Sequence, residues 1–249
     1  MSKRALTAVA GLTVTAFAVP PAYRDYQTYL SYGPGGPPHN AVGWFLSRMI
    51  VTPLGQEMFS TEVYQRRIDR GETATYVYPN GKLPKREGKV PRVGIHAIPQ
   101  RQLDQVPSQS IREKLADAFT TLVKNNPSLL KTATSHWERR TEALWLSDGA
   151  KETSLSKGEV SHIHGTSDHS VHVILSPADA KKVIEANWGQ RHALSGAKVL
   201  FGTFELPWVF AIPSTYLLIY APRSEEEVKV VMEIVKGGVR YMTGGKEVN

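Results

Sequence analysis

One segment of the chain, residues 158–176, constrains the fold more than any other. It reads GEVSHIHGTSDHSVHVILS, with β-branched residues on both sides of a turn-forming stretch from Gly165 to Asp168. This pattern predicts a β-hairpin. Side chains two apart in a strand project from the same face, so His162 and His164 should project together. His172 on the returning strand can reach that face as well.

The hairpin therefore gathers His162, His164, Asp168 and His172, while His169 is expected in the turn. Two strand histidines, a carboxylate and a further histidine form a ligand set for iron, manganese, copper or zinc. The same groups suit acid–base chemistry, because imidazole titrates near neutral pH and an aspartate partner can orient it. Ordinary packing, or a solvated strand face, is the third interpretation. The residues alone leave all three open.

A second candidate segment, ANWGQRHALSG over residues 186–196, follows closely and predicts a glycine-bounded loop. Loops carry binding residues disproportionately. Arg191 could hold a carbonyl or enolate oxygen, Trp188 could stack on a planar ligand, and His192 could act as a second acid or base. Core packing of Trp188 and a surface ion pair of Arg191 are the alternatives. We expect this loop and the hairpin histidines to line one pocket.

The remaining pattern predicts an α+β fold, a single domain of mixed strands and helices without βαβ regularity. Apolar spacing of three and four predicts a helix over residues 108–126. Capping signals predict two more helices, one from Ser176 with Pro177 at its first position and one from Ser224. Strands are predicted elsewhere: in residues 74–84, 93–103, 133–147 and 208–222.

The amino terminus has a basic start, then an uncharged run from Ala5 to Ala22 that ends near Pro20 and Pro21. Prolines there are expected to end a helix. A membrane anchor, a cleaved signal peptide and a buried core helix all fit this run. We take residues 1–22 as a membrane anchor or signal-like helix and residues 23–249 as the catalytic domain.

The charge of the chain is basic, with a net value of +7 over 249 residues. The lysines and arginines are scattered and no nucleic-acid motif frames them, so a nucleic-acid partner is not expected and an anionic membrane surface is favoured. The chain has no cysteine. Disulfides, thiolate metal ligands and a cysteine nucleophile are therefore excluded. Nucleophilic-serine, phosphate-loop and dinucleotide motifs are also absent from the sequence.

Four segments together carry a resemblance to a known family. They are RDYQTYLSYGP (24–34), HIHGTSDHSVH (162–172), WGQRHALSG (188–196) and IYAPRSEEEVKVVMEIVKGGVRYMTG (219–244). In this order they resemble the fungal luciferases, the enzymes of luminous mushrooms that oxidise 3-hydroxyhispidin, a styryl-pyrone, with molecular oxygen. One departure lies in the turn, where luminous members resemble HMHDYHD and this chain has HIHGTSD.

The resemblance implies an oxygenase in which oxygen adds to the pyrone, carbon dioxide leaves the resulting endoperoxide and light is emitted. It implies oxygen as co-substrate, no added organic cofactor, and attachment to the endoplasmic reticulum membrane by a single amino-terminal anchor. A metal is not excluded. Matching positions imply catalytic and substrate-binding residues; they are His162, His164, Asp168, His172, Trp188, Gly189, Gln190, Arg191 and His192.

Two other functions stay open. A metal-dependent oxygenase would use His162, His164, Asp168 and His172 as candidate ligands and would act on another small aromatic compound. A non-catalytic, membrane-anchored homologue would bind a ligand without turnover. Oligomeric state is not indicated by any feature of the sequence.

Overall fold

The structure, a computed structural model, describes residues 19–79, 81–148, 157–196 and 212–249. Within these ranges, six antiparallel strands form one sheet in the order β1-β2-β3-β4-β6-β5. The strands are β1 Leu130–Thr134, β2 Glu142–Leu146, β3 Glu159–Ile163, β4 Val171–Ile174, β5 Gly189–Arg191 and β6 Tyr216–Ile219.

The helices surround this sheet. They are α1 (residues 19–31), α2 Ala41–Phe45, α3 Glu62–Ile68, α4 Gln109–Asn125, α5 Pro177–Glu185 and α6 Glu225–Met242. Helix α2 continues as a π-helix over Leu46–Val51 and a 3-10 turn over Thr52–Leu54. The predicted α+β architecture is confirmed.

Helix α6 covers one face of the sheet, against β3 and β4. Its amphipathic sequence buries Val231, Ile234 and Val235 in the core. The approach is close: a Cβ atom at Gly238 would lie 2.7 Å from the carbonyl oxygen of Ile174. The opposite face of the sheet carries the hairpin histidines, and the loops around residues 98–101 and 135–138 cover it.

A β-bulge in β3 decides which side chains reach the histidine face. Trp145 pairs with Glu159 and Leu144 pairs with Ser161, so Val160 is the extra residue in the ladder. A bulge breaks the two-residue alternation of a strand. Glu159 and His162 are three residues apart, yet their side chains meet, with 2.7 Å between Oε1 and Nδ1. Regular alternation would have placed them on opposite faces.

The capped helices, the hairpin of β3 and β4 and the strands within residues 133–147 confirm the predictions from local pattern. Ser176 accepts a hydrogen bond from the Asp179 amide at 3.1 Å, and Ser224 accepts one from the Glu227 amide at 3.3 Å. Strands β3 and β4 pair with His162 opposite His172, as the hairpin prediction requires. The segment 133–147 contributes β2 and the end of β1, which pair antiparallel.

Two predicted strands are wrong. Residues 74–79 and 81–84 form no strand because Asp179 accepts the amides of Tyr76 and Val77 at 2.7 and 3.2 Å. Residues 93–103 form a loop with a single β-bridge between Val93 and Gln102. The backbone N–H of Gln102 donates to the Asp168 carboxylate rather than to a neighbouring strand. In both segments a buried carboxylate takes amide groups that a strand ladder would use. The predicted loop at 189–191 is also wrong, since these residues form β5.

The membrane prediction is corrected. Across the ranges that the structure describes, no helix combines the length and the apolar character that crossing a membrane requires. Residues 1–18 of the predicted anchor lie outside the described residues. The described remainder belongs to α1, which runs through Pro20 and Pro21 and packs on the domain through Tyr29, whose hydroxyl donates to the Pro38 carbonyl at 2.9 Å. The predicted location at the endoplasmic reticulum membrane depended on the anchor and is withdrawn.

Candidate active site

A cavity of about 30 Å³ lies over the histidine face of the sheet. Four histidines, an arginine–glutamate pair and a tyrosine form most of its wall. Its half-buried lining residues, Gly36, Ile98 and Trp137, mark its open side. The other lining residues are buried; they are Pro99, Gln100, Arg101, Glu138, His162, His164, His172, His192, Ile212 and Tyr216.

His162 is held by Glu159, the residue that the bulge turns toward this face. The Nδ1 atom of His162 lies 2.7 Å from Glu159 Oε1. That carboxylate also accepts from the Ser135 hydroxyl at 2.8 Å and from the His136 amide at 2.6 Å. A carboxylate only accepts hydrogen bonds, so Nδ1 of His162 carries a proton, and in the neutral ring Nε2 offers a lone pair. Glu159 was not predicted as a site residue.

His164 is held in the same way by Asp168, a predicted site residue. Its Nδ1 atom lies 2.9 Å from Ser170 Oγ and 3.2 Å from Asp168 Oδ1. The Ser170 hydroxyl donates to Asp168 Oδ2 at 2.6 Å, and the Gln102 amide donates to the same oxygen at 2.6 Å. The hydroxyl proton of Ser170 is thus engaged with Asp168. In the hydrogen bond between Ser170 and His164, the donor is therefore the Nδ1–H group of His164. Its Nε2 atom is left as an acceptor.

His172 completes the group. Its Nδ1 atom donates to the carbonyl oxygen of Leu217 at 3.0 Å, and its ring stacks on Tyr216 with 4.6 Å between centroids. Each of the three histidines therefore directs a free Nε2 atom away from its anchoring partner. Ligand nitrogen atoms of His162, His164 and His172 lie within 4.8 Å of one another. The Nε2 atoms of His162 and His164 are buried and find no hydrogen-bond partner in the part of the chain that the structure describes.

His192, the residue after β5, also lines the cavity, but its two ring nitrogen atoms have the opposite hydrogen-bonding roles. Its Nδ1 atom accepts from the Leu194 amide at 3.1 Å, so Nε2 carries the proton of the neutral ring. Its ring lies 5.3 Å from that of His172. His192 therefore offers the cavity a hydrogen-bond donor rather than a lone pair.

Burial controls the charge of these rings. Desolvation lowers the pKa of His164 and of His172 well below the usual range, and neighbouring positive groups lower both further. Desolvation also lowers the pKa of His192 to about 3. A buried imidazole that no acid compensates fully stays uncharged. These three rings are neutral at pH 7.

Arg101 and Glu138 form a buried ion pair in the cavity wall, and neither was predicted. The Arg101 guanidinium contacts Glu138 Oε1 and donates to the carbonyl oxygens of Tyr32, Pro34 and Gln100. The other oxygen of Glu138, Oε2, lies 4.0 Å from His164 Nε2. The pair thus places one carboxylate oxygen beside the histidines.

Tyr216 and Trp137, neither of which was predicted as a site residue, add two further groups. The hydroxyl of Tyr216 is buried and has no hydrogen-bond partner among the described residues. Burial raises the pKa of Tyr216 well above its usual value, so the phenol is protonated and can donate. Trp137 stands at the open side of the cavity, 5.9 Å from the Tyr216 ring. Trp137 has the position that was expected of Trp188.

The structure does not bring Trp188, Gln190 or Arg191 to the cavity lining. Trp188 packs in the core and its Nε1 donates to the Pro84 carbonyl at 2.6 Å. Gln190 Oε1 accepts from the Tyr220 hydroxyl at 3.1 Å. Arg191 donates to the carbonyl oxygens of Glu57 and Ser195, each at 3.1 Å. Of the predicted second segment, His192 alone lines the cavity.

Comparison with known proteins identifies the family of the chain. A Luciferase domain model matches residues 157–238, which include the hairpin, β5, β6 and most of α6. The luciferase of Armillaria mellea is 31% identical over 252 residues, covering 96% of this chain and 88% of that protein. The luciferase of Neonothopanus nambi is 30% identical over 260 residues, covering 98% of this chain and 90% of that protein.

No solved structure matches the chain significantly. The sequence matches extend over nearly the whole chain, including the segments between residues 41 and 155 that lie outside the matched domain. The full-length similarity and the match across the histidine hairpin show that the chain belongs to the fungal luciferase family.

Proposed function

We propose that the protein is an oxygenase that oxidises a hydroxylated styryl-pyrone of the 3-hydroxyhispidin type with molecular oxygen. In this reaction the pyrone is the reductant and oxygen the oxidant. Both oxygen atoms bond to the ring to form an endoperoxide, the O–O bond then breaks as carbon dioxide leaves, and the excited product emits light. Relatives named luciferase support the coarse activity.

The observation that carries the proposal is the oriented His164 in a buried cavity. Its Nδ1–H points to Asp168 and Ser170, and its unpartnered Nε2 can accept the enol proton of the pyrone. The resulting anion would be stabilised by hydrogen bonds from the Tyr216 hydroxyl and from His192 Nε2. Arg191 was the expected anion holder; the guanidinium in the cavity wall is instead that of Arg101, which is paired with Glu138.

The size of the cavity determines how such a substrate could bind. A volume of about 30 Å³ holds dioxygen or one or two water molecules, but not a two-ring compound. The reacting end of the pyrone would therefore approach from the open side, at Gly36, Ile98 and Trp137. The Trp137 ring offers an aromatic face for a planar substrate there. The proposal includes displacement of side chains on this side.

The test uses purified full-length protein, 3-hydroxyhispidin and oxygen, with light, oxygen uptake and carbon dioxide recorded together. We expect all three signals, and we expect His164→Ala to lower the rate by at least about 100-fold, the usual contribution of one acid–base group. The matched control is His169→Asn. His169 lies in the same hairpin at φ 59°, a backbone conformation that asparagine tolerates, and outside the cavity lining.

Three results would decide the proposal differently. Oxygen uptake and carbon dioxide release without light would support the oxidation and reject the luminous step. Light or uptake that is equal in His164→Ala and His169→Asn would reject the role of His164. No oxygen uptake with the folded protein would reject the proposed oxidation of this substrate.

A metal-dependent oxygenase is the second candidate function. Three imidazole nitrogen atoms converge in the site. Proton acceptance needs only one of them, so the other two favour metal binding.

A further inference from the structure

We propose that Nε2 atoms of His162, His164 and His172 together bind one divalent first-row transition-metal ion. The inference deepens the proposed oxygenase function. Only the choice of iron(II) as the working metal rests on that function, since a metal that took part in oxygen chemistry would have to be redox-active. The three ligands are imidazole nitrogen atoms, which suit zinc, copper, iron and nickel.

The hydrogen bonds of the three rings are those of metal ligands. A metal-binding histidine usually donates its other N–H to a carboxylate or a backbone carbonyl, which fixes the ring and the tautomer. Here His162 donates to Glu159, His164 to Asp168 and Ser170, and His172 to the Leu217 carbonyl. All three lone pairs therefore remain free on the same side of the sheet.

The distances fit one ion after a small closure of the rings. The ligand nitrogen atoms lie within 4.8 Å of one another. Two nitrogen atoms bound to one ion at about 2.1 Å can be at most about 4.2 Å apart. A cavity of about 30 Å³ beside them accommodates the ion with a water-sized molecule in an open position. Such an open position is typical of catalytic rather than structural metal sites.

The buried charge around the rings favours a cation. Among the described residues that hold or line the site, three carboxylates, Glu138, Glu159 and Asp168, are buried beside one buried guanidinium, that of Arg101. Uncompensated charge in a protein interior is costly. A dication would balance this charge.

Metal binding and proton acceptance at His164 exclude one another, because its Nε2 atom has one lone pair. In the metal-bound protein the enol proton must therefore go to another acceptor. Glu138 Oε2 lies 4.0 Å from His164 Nε2 and faces the same cavity. We assign proton acceptance in that case to the Glu138 carboxylate.

The test measures metal binding without substrate, on full-length protein purified without a polyhistidine tag and stripped with a chelator. The probes are Co²⁺, followed by its visible d–d absorption, and Fe²⁺ and Zn²⁺, followed by elemental analysis after gel filtration. We expect one equivalent per chain. His162→Ala, His164→Ala and His172→Ala should each weaken Co²⁺ binding by at least about 100-fold, and Glu159→Gln by about 10- to 100-fold.

His169→Asn is the matched control and should bind Co²⁺ with unchanged affinity, and circular dichroism establishes that each variant is folded. Less than one equivalent of each metal in the folded protein, or equal binding by His164→Ala and His169→Asn, would overturn the metal site. The oxygenase proposal fails separately: metal binding without oxygen uptake rejects that proposal alone. Oxygen uptake that survives complete chelation rejects a catalytic role of the metal alone.

Discussion

At the scale of single residues, the site depends on buried carboxylates that fix the histidine tautomers. Asp168 accepts hydrogen bonds from Gln102 and Ser170 and lies beside His164 Nδ1. An aspartate partner for one of the histidines was predicted, and the structure pairs Asp168 with His164. Glu159 fixes the tautomer of His162 in the same way. Regular strand alternation would have placed Glu159, three residues before that histidine, on the opposite face of the sheet.

Replacing Asp168 by asparagine should therefore affect both the activity of the site and the stability of the fold, and the two effects can be measured separately. The asparagine side chain has the same shape as the aspartate but no negative charge. Its NH2 group would face the hydrogen-bond donors of Gln102 and Ser170. The free energy of unfolding should therefore fall by about 1–3 kcal/mol. Activity should fall by about 10- to 100-fold, because the orientation of His164 is lost. Steady-state oxygen uptake and urea unfolding measure the two effects.

Asp179→Asn is the matched control for Asp168→Asn. Asp179 is an equally buried carboxylate that accepts from Thr75, Tyr76 and Val77, and it does not line the cavity. We expect a similar loss of stability with normal activity per folded molecule. Equal losses of activity in the two variants would show that Asp168 acts through stability alone.

At the scale of elements, the hairpin and the capped helices follow from local pattern, whereas the loops over the cavity do not. Alternation and turn chemistry predict β3 and β4, and serine caps predict the starts of α5 and α6. The segment 93–103 has the composition of a strand, but its Gln102 amide bonds to Asp168. A local pattern contains no information on such a partner 66 residues away.

The contact of α6 with the sheet gives a prediction at this scale. Gly238→Ala would place a methyl group 2.7 Å from the Ile174 carbonyl oxygen and 2.7 Å from Val173 Cγ2. We expect the free energy of unfolding to fall by about 1–3 kcal/mol, the usual cost of overpacking. Lys229→Ala, on the exposed face of the same helix, should change it by less than about 0.5 kcal/mol. Urea denaturation of both variants decides the matter; equal midpoints would contradict the close packing.

At the scale of the whole molecule, buried neutral histidines make stability depend on pH. His96 lies between the Tyr29 and Tyr32 rings, near Asp25 and Arg48. Burial lowers the pKa of His96 below its usual 6.5, despite the opposing effect of Asp25. Below pH 6.5 the unfolded chain therefore binds more protons than the folded chain at this position.

The contribution of the uncharged His96 to the free energy of unfolding is thus complete above pH 6.5, and it is lost as the pH falls below that value. The loss is at most about 1.4 kcal/mol for each pH unit. The measurement compares urea unfolding at pH 7 and pH 5.5 for the natural chain and for His96→Gln. The variant should lose less stability between the two conditions; an equal loss would disprove the assignment.

The sequence by itself determined the elements that depend on neighbouring residues. Alternation, turn residues and serine caps act within a few positions, and they predicted the α+β class, the hairpin and the projection of His162, His164 and His172 from one face. The tertiary structure alone decided which groups complete the site. Packing brings Arg101 to Glu138 across 37 residues, the bulge at Val160 redirects Glu159, and β5 pairs with β6 so that Arg191 lies outside the cavity lining. These outcomes depend on cross-strand register and on contacts between distant segments, which no local pattern specifies.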